Sequence, residues 1–260
     1  MNIGFIGLGH MAGSILKALS NSKEYDFYVN DHHEDRLLDL KKSLGDKLHI
    51  SNYDDILSSC PFIFLGVKPK DMTSLLERIK EGVSSQVLIS MAAGYSIEEI
   101  LNALGKAKVI RIMPNTPVAV RKGVTFASIG DVCPVEKKQF IKMMLLTGSL
   151  YEIEEEKMDV VSVLTGSTPA YLDYFFDALI DFGVSKGFSK EEAKEYVLKM
   201  AEGTVALDLS SSKSPLELGK EVCSPGGSTI EGVNLLEENR FRELVKDAAE
   251  ASFQKNKKMK

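Results

Sequence analysis

The sequence predicts an α/β protein in which a doubly wound parallel sheet comes first and an all-helical part follows. The first twenty residues form a strand, a glycine turn and a helix. Short apolar strands and amphipathic helices then alternate to about residue 112, which is typical of a parallel sheet with right-handed crossovers. After residue 154 the apolar residues fall at helical spacing only. We therefore expect a dinucleotide-binding domain at residues 1–154 and a helical domain at residues 155–260.

The composition is that of an ordinary globular protein, since 44% of the 260 residues are hydrophobic and the net charge is −5. The mild acidity argues against a nucleic-acid partner, and the basic run at residues 255–260 is interpreted as a frayed, solvated tail. No apolar run is long enough to cross a bilayer and no signal peptide fits before the first strand, so we expect no membrane partner and a cytoplasmic location. The three cysteines have neither disulfide nor zinc spacing and are interpreted as small buried hydrophobic residues. No spacing indicates a metal site.

The glycine turn after the first strand predicts a dinucleotide site. Gly7 permits a tight bend, Gly9 lets backbone NH groups approach a pyrophosphate, and the small Ala12 lets the helix pack on the strand. His10 and Met11 lie at the start of the helix, whose positive end attracts the anion. Glycine also serves ordinary turns, and His10 has a simple capping role as its alternative. The strand before and the helix after the turn favour the dinucleotide interpretation.

The end of the second strand bears on the choice between NADH and NADPH. Asn30 and Asp31 follow the alternating strand at residues 25–29, about twenty residues past the glycines. A carboxylate there favours a free ribose 2'-hydroxyl and repels a 2'-phosphate. Arg36 and the adjacent histidines could offset that repulsion, so the sequence leaves the cofactor open.

Continuous apolar runs, which suit strands covered on both faces, predict the other strands of the first domain. The predicted strands are residues 48–50, 62–67, 87–91, 109–113, 123–128 and 149–153, and the helices among them are residues 36–44, 52–57, 72–79, 96–104 and 135–146. Asn52 is a predicted helix cap, and Ser96 with Glu99 forms a capping box.

Start and stop signals divide the second domain into helices. Residues 167–169 prepare a helix start that ends at glycines 183–187, and a capping box beginning with Ser189 opens a helix to about residue 209. Pro215 opens a further short helix. Such a layer is too thin to bury both faces of its helices, so we expect it to pack against a second subunit.

Two segments rich in proline or glycine are candidate ligand sites. Arg111–Pro117 leaves the carboxyl end of a strand, where open α/β sheets bind ligands, although a rigid connection explains it equally well. Residues 223–230 have the composition of a helix N-terminus with bare NH groups, suited to a carboxylate, with a simple capped turn as the alternative. All four histidines lie in the first domain, which excludes a histidine general base in the helical half.

Six segments together resemble the pyrroline-5-carboxylate reductase family, in that family's order over nearly the whole chain. They are residues 7–11, 67–69, 90–94, 111–117, 165–171 and 224–229. The sequences Met113–Pro117 and Ser224–Gly227 are the most specific, whereas the first two segments also occur in other dehydrogenases. The resemblance implies a Rossmann-type domain, a helical dimerisation domain, and a homodimer or an assembly of dimers. It also implies reduction of 1-pyrroline-5-carboxylate to L-proline with NADPH or NADH.

The resemblance implies roles for individual residues. The backbone of residues 226–228 would hold the substrate carboxylate, and the catalytic Thr229 hydroxyl would hydrogen-bond the ring nitrogen. The implied substrate-binding residues are Ser224, Gly226, Gly227, Ser228, Thr229, Ser167 and Thr168, with Tyr171 on the pocket wall. The implied cofactor-binding residues are Gly7, Gly9, His10, Met11, Ala12, Asn30, Asp31, Val67, Lys68, Pro69, Ala92, Ala93, Asn115 and Pro117.

One departure from the family pattern keeps two alternatives open. Thr168 stands where the family usually has glycine, so the chain could be a relative that acts on another imine or on a 3-hydroxy acid. The helix at residues 170–175 lacks the lysine–asparagine pair that 3-hydroxy acid dehydrogenases need. A catalytically silent nucleotide-binding regulator is the second alternative, and the intact Gly226–Thr229 segment counts against it.

Overall fold

Eight strands form one sheet in the computed structural model, which describes residues 1–258. The strands are β1 Asn2–Ile6, β2 Asp26–Asn30, β3 Leu48–Ile50, β4 Phe62–Leu65, β5 Val87–Ser90, β6 Lys108–Met113, β7 Gly123–Ile129 and β8 Gly148–Glu152. Their order is β3-β2-β1-β4-β5-β6-β7-β8, and every neighbouring pair is parallel except β6 with β7. The predicted α/β architecture with a doubly wound sheet is confirmed.

Helices separate the strands and then continue alone, as predicted. They are α1 His10–Leu19, α2 Glu34–Leu44, α3 Tyr53–Ser59, α4 Pro69–Ile79, α5 Ile97–Leu104, α6 Pro134–Met144, α7 Met158–Val161, α8 Thr168–Ser185, α9 Lys190–Ser210, α10 Pro215–Glu221, α11 Ser228–Glu238 and α12 Phe241–Lys257. Asn52 caps α3 by accepting from the Asp55 amide at 2.8 Å, and the capping boxes that open α5 and α9 are present. These predicted caps are confirmed.

Alternation along the central strands explains why their sequences are apolar throughout. In β4, Phe62 and Phe64 belong to the hydrophobic cluster on one face of the sheet, whereas Ile63 and Leu65 belong to the cluster on the other face. The ring of Phe64 stacks on that of Phe5 in β1, with 4.7 Å between centroids. Both faces are therefore buried, and only the strand ends remain available for polar chemistry.

The chain divides into two compact units. One unit contains residues 1–166 together with the C-terminal segment from Phe253, and the other contains residues 167–252. The sequence-based boundary between residues 154 and 155 lies before this division.

The prediction of a frayed C-terminal tail is wrong for Lys255 and Lys257, which are exposed but lie in α12. The last two residues of that basic run lie outside the described residues.

The predicted helix start at residues 167–169 is confirmed as the start of α8 at Thr168, with Pro169 in its first turn, but the chain is already helical before it. A π-helix at Ser162–Ser167 joins α7 to α8. Ser167 has helical angles (φ −88°, ψ −38°) and makes no side-chain cap hydrogen bond. Proline lacks the NH that an α-helical turn requires, and the wider π turn ends at Ser167, two residues before Pro169. The helix ends at Ser185, close to the predicted stop.

The cysteines differ in their surroundings. Burial raises the pKa of the Cys60 thiol to about 12, so Cys60 is neutral at pH 7 and behaves as a small hydrophobic residue. Cys133 is exposed at the start of α6 and Cys223 is only partly buried, so the interpretation of buried cysteines is wrong for these two residues. Within residues 1–258 no helix combines the length and apolar character needed to cross a membrane. The cytoplasmic location stays a prediction.

A buried ion pair joins β6 to the segment that follows β8. The Nη1 atom of Arg111 lies 3.0 Å from Oε1 of Glu155, and their side chains are 4% and 25% exposed. The same Glu155 oxygen accepts a hydrogen bond from the Ile97 amide at 2.9 Å. The Nε and Nη2 atoms of Arg111 have no partner among the described residues. Glu155 is therefore the principal compensation for a buried positive charge.

We predict that the two halves of this ion pair respond differently to substitution. Glu155→Gln leaves the Arg111 charge buried without compensation and should lower the free energy of unfolding by about 2–3 kcal/mol, allowing for the partial exposure of Glu155. Arg111→Met removes the buried charge, retains apolar volume, and should cost less than half as much. Urea unfolding measures both values, with Glu154→Gln as the control at an exposed neighbouring carboxylate. Equal destabilisation by the two core substitutions would contradict this prediction.

Candidate functional site

The sheet reverses its winding between β1 and β4. The chain moves from β1 to β2 and β3 on one side, and then returns to place β4 on the other side of β1. Open α/β sheets bind ligands at such a switch point, outside the carboxyl ends of the strands. Gly7 follows β1 and Gly66 follows β4, and the pairing of Ile6 with Leu65 brings these two glycines to the same level.

The two glycines approach too closely for either to carry a side chain. A Cβ atom on Gly66 would lie 2.2 Å from the Gly7 carbonyl oxygen and 2.6 Å from the Ala12 Cβ. A Cβ atom on Gly7 would lie 2.9 Å from the Gly66 carbonyl carbon, and Gly7 has the left-handed φ of +85°. Gly7 was predicted from the sequence as a cofactor-binding residue and Gly66 was not, although a glycine directly after a buried apolar run was the available signal.

A crevice of about 610 Å³ opens beside these glycines. Its charged lining residues are the basic Arg36, Lys68, Lys70 and Arg78 and the acidic Asp31 and Asp71. Gly9 is the N-cap of α1 and makes no side-chain cap hydrogen bond, so the first-turn amides of α1 keep their donor capacity. Three features of this crevice fit a dinucleotide pyrophosphate. They are two glycines whose positions leave no room for a Cβ atom, a helix N-terminus without a side-chain cap, and an excess of basic residues.

Several of the predicted cofactor residues meet at this crevice. Gly7, Gly9, His10, Asp31, Val67 and Lys68 line it. Ala12 is 1% exposed and packs beneath the turn against Gly66. Met11 precedes Ala12 in the first turn of α1, and Pro69 is the first residue of α4. Asn30 lines an adjoining cavity with Gly7, and its side chain donates to the Ser51 carbonyl at 2.7 Å.

Asp31 lies at the end of β2 as predicted, but other parts of its own chain bind its carboxylate. The Leu8 amide donates to Oδ2 at 2.5 Å, and the His33 amide donates to Oδ1 at 2.8 Å. The Asp31 side chain is 2% exposed, so the solvent-accessible part of this residue is its main chain. The sequence placed this carboxylate beside a ribose and could not show that backbone amides already bind it.

The segments after β5 and β6 lie at the same edge of the sheet, because these strands run parallel to β4. Ala92 is buried and Ala93 is partly exposed. Asn115 is 7% exposed, and its Oδ1 accepts from the Val124 amide at 2.8 Å, which joins this segment to β7. Pro117 lies in a 3-10 helix at Thr116–Val120. The Asn115 contact supports the rigid-connection interpretation for that side chain.

A second bare helix N-terminus lies in the helical unit. The Gly227 amide donates to the Ser224 carbonyl at 3.0 Å, closing a turn with Pro225 second and Gly226 third, where φ is +71°. This is the sequence pattern of a type II turn. Gly227 is the N-cap of α11 without a side-chain hydrogen bond, so the Ser228 and Thr229 amides have no intrahelical partner. The Gly227 amide already donates its hydrogen bond to the Ser224 carbonyl, so it fixes the shape of the turn and does not bind a ligand.

The predicted pocket-wall residues lie at the start of α8. Ser167 and Thr168 are partly buried. The Tyr171 hydroxyl donates to the Ala248 carbonyl at 3.2 Å and also shares a short hydrogen bond with the Ser252 hydroxyl. Tyr171 thus fastens α8 to α12 within the helical unit.

Two family descriptions match the chain, one for each half. Residues 155–259 match pyrroline-5-carboxylate reductase dimerisation, and residues 2–94 match NADP oxidoreductase, coenzyme F420-dependent. The pyrroline-5-carboxylate reductase of Aquifex aeolicus is 34% identical, with 100% of this chain and 97% of the relative covered. Pyrroline-5-carboxylate reductase 2 of Bacillus subtilis is 32% identical, with coverage of 99% and 95%.

Solved structures agree with these sequence matches. The crystal structure of Plasmodium falciparum pyrroline carboxylate reductase with NADP bound has a TM-score of 0.91 and 30% identity, with 100% and 98% of the two chains covered. The 1-pyrroline-5-carboxylate reductase of Streptococcus pyogenes has a TM-score of 0.89 and 29% identity, with coverage of 99% and 98%.

We predict that Gly66→Ala disrupts the crevice specifically. The added methyl group would overlap the Gly7 carbonyl, so the glycine turn must move, at a cost of about 1–3 kcal/mol and a loss of nucleotide affinity of about tenfold or more. Gly13→Ala in α1 is the matched control, because its Cβ would lie 3.9 Å from the Leu8 carbonyl, an ordinary contact. Titration calorimetry with NADP⁺ and NAD⁺ measures the change. Equal affinities for the two alanine variants would show that the glycine contact is dispensable.

Proposed function

The chain belongs to the pyrroline-5-carboxylate reductase family, and on that premise we propose that its two bare helix N-termini serve one reaction. The protein reduces the cyclic imine 1-pyrroline-5-carboxylate to L-proline with NADPH or NADH. Full-length similarity to several such reductases supports this function. The observation in this structure that carries it is the uncapped N-terminus of α11 behind the Ser224–Gly227 turn, which suits a carboxylate, in a chain whose crevice beside Gly7 and Gly66 suits a dinucleotide.

The residues around Gly7 and Gly66 would hold the cofactor. The pyrophosphate would lie against the first-turn amides of α1, where the backbone approaches because no side chain intervenes. Lys68, at the N-cap of α4, adds a positive charge at the same edge of the sheet. When bound, the reduced nicotinamide supplies the hydride.

The Ser224–Thr229 segment would hold the substrate. The amides of Ser228 and Thr229 donate to the carboxylate, and the dipole of α11 favours its negative charge without any lysine. Gly226 adopts the left-handed conformation that directs the turn into the helix. The exposed Thr229 hydroxyl hydrogen-bonds the ring nitrogen. A protonated imine is already an electrophile, so the main task of the protein is to hold and orient it.

The helical unit supports a homodimer. In residues 167–252 the buried hydrophobic residues are Ile180 and Ala193, which are 7% and 3% exposed. Large apolar side chains on α8 to α12 are exposed instead, including Tyr174 at 83%, Phe182 at 62% and Leu209 at 84%. Water-exposed apolar helices of this kind need a covering surface, and the matched dimerisation family points to a second copy of the chain. An assembly of several dimers remains the larger alternative.

We predict that the purified protein oxidises NADPH or NADH when 1-pyrroline-5-carboxylate is added, and that this activity depends on Thr229. Thr229→Ala removes one hydrogen bond to the reacting ring and should lower kcat by about 10- to 100-fold with little change in cofactor affinity. Thr229→Ser retains the hydroxyl and should retain most of the rate. Initial rates with five- and six-membered imine carboxylates test both the activity and the effect of Thr168 on substrate range. An unchanged rate in Thr229→Ala would remove Thr229 from the reaction.

We predict that Gly226→Ala weakens substrate binding without affecting the cofactor. An alanine with φ near +71° is strained by about 1–2 kcal/mol, and relief of that strain would turn the Ser228 and Thr229 amides away from the carboxylate. The KM for the imine should rise about tenfold, while the dissociation constant for NADP⁺ stays unchanged. Gly219→Ala is the control, because it lies in α10 with open space around its Cβ. A wild-type KM in Gly226→Ala would show that the substrate carboxylate binds elsewhere.

A further inference from the structure

Asp31 occupies the position at which a carboxylate ordinarily selects NADH, but its carboxylate binds backbone amides of the protein instead. Such selection requires a carboxylate that is open to the ribose hydroxyls. Here the Leu8 amide donates to one oxygen at 2.5 Å, the His33 amide donates to the other at 2.8 Å, and the side chain is 2% exposed. The carboxylate therefore binds the glycine turn to the loop that follows β2.

Arg36 covers the same carboxylate from the solvent side. Its Nη1 lies 3.6 Å from Asp31 Oδ2 and donates to the Leu8 carbonyl at 2.6 Å. Together, Asp31 and Arg36 hydrogen-bond both the amide and the carbonyl group of Leu8. Because the Arg36 side chain is 43% exposed, its guanidinium is a charged group that this end of the crevice presents to a ligand.

The charges around the crevice favour an additional phosphate. Of the four basic residues that line it, Arg36 is adjacent to the end of β2, where the 2' position of an adenosine ribose would lie. The exposed His32 lies on the same loop, with its ring packed against that of His33 at 4.0 Å between centroids. A guanidinium forms bidentate hydrogen bonds to phosphate oxygens, which a neutral ribose hydroxyl cannot offer.

We propose that Asp31 is a positioning residue for the glycine turn and that Arg36 is the specificity-determining residue, so that the protein prefers the 2'-phosphorylated cofactor. This inference rests on the proposed function and deepens it, because it selects NADPH over NADH. It also explains how an acidic residue at the end of β2 is compatible with a 2'-phosphate: its charge is paired within the protein and hidden from the ligand.

The test is titration calorimetry with NADP⁺ and NAD⁺ in the absence of imine, in a buffer free of phosphate. Wild type should bind NADP⁺ about tenfold or more tightly than NAD⁺. Arg36→Gln should abolish most of that ratio, and Arg36→Lys, which keeps the charge, should retain part of it. Asp31→Asn should weaken both cofactors and leave NADP⁺ preferred. Lys42→Gln, on the exposed surface of α2, should behave as wild type.

A wild-type preference for NAD⁺ that Asp31→Asn reverses would overturn the proposal, because it would show Asp31 open to the ribose. An NADP⁺ to NAD⁺ ratio unaffected by Arg36→Gln would overturn the role of Arg36. These binding measurements are independent of imine reduction. A protein that prefers NADP⁺ but does not reduce the imine would contradict the proposed function alone, whereas one that reduces the imine with NADH in preference to NADPH would contradict this inference alone.

Discussion

The close backbone contact between Gly7 and Gly66 is the constraint on which the rest of the site depends. The register of β1 against β4 brings these residues together, and a Cβ on Gly66 would overlap the Gly7 carbonyl at 2.2 Å. The contact places the glycine turn at the switch point and aims the N-terminus of α1 at the crevice. Asp31 and Arg36 fix the same turn from the β2 side through Leu8. At the glycine turn the crevice is therefore bounded by backbone, which suits the close approach of the pyrophosphate proposed to bind there.

The cofactor and the substrate are proposed to bind by the same physical means. Gly9 precedes α1 and Gly227 precedes α11, and neither helix start has a side-chain cap. Each leaves first-turn amides and a positive dipole end for an anion, a pyrophosphate in one case and a carboxylate in the other. Basic side chains line the crevice, whereas the Ser224–Thr229 segment contains none. The difference suits a multiply charged nucleotide and a singly charged imino acid.

The sequence allowed most of the fold to be predicted, because buried strands are continuously apolar and helix caps are local. Asn52 and Ser96 show this, since their partners lie three residues away. Features set by tertiary contacts were missed. The sequence located Asp31 at a strand end but not its hydrogen bond to Leu8, which lies 23 residues earlier. The sequence also did not reveal that the chain is already helical before Thr168, because a π-helix has no local signal of comparable strength.

The proposed function requires a direct hydride transfer from the cofactor to the imine carbon. The most direct measurement uses NADPH carrying deuterium at the transferring position of C4, with 1-pyrroline-5-carboxylate as substrate and mass spectrometry of the product. Direct transfer predicts L-proline with one deuterium bound to the former imine carbon. Proline without deuterium, or oxidation of the cofactor without formation of proline, would contradict it.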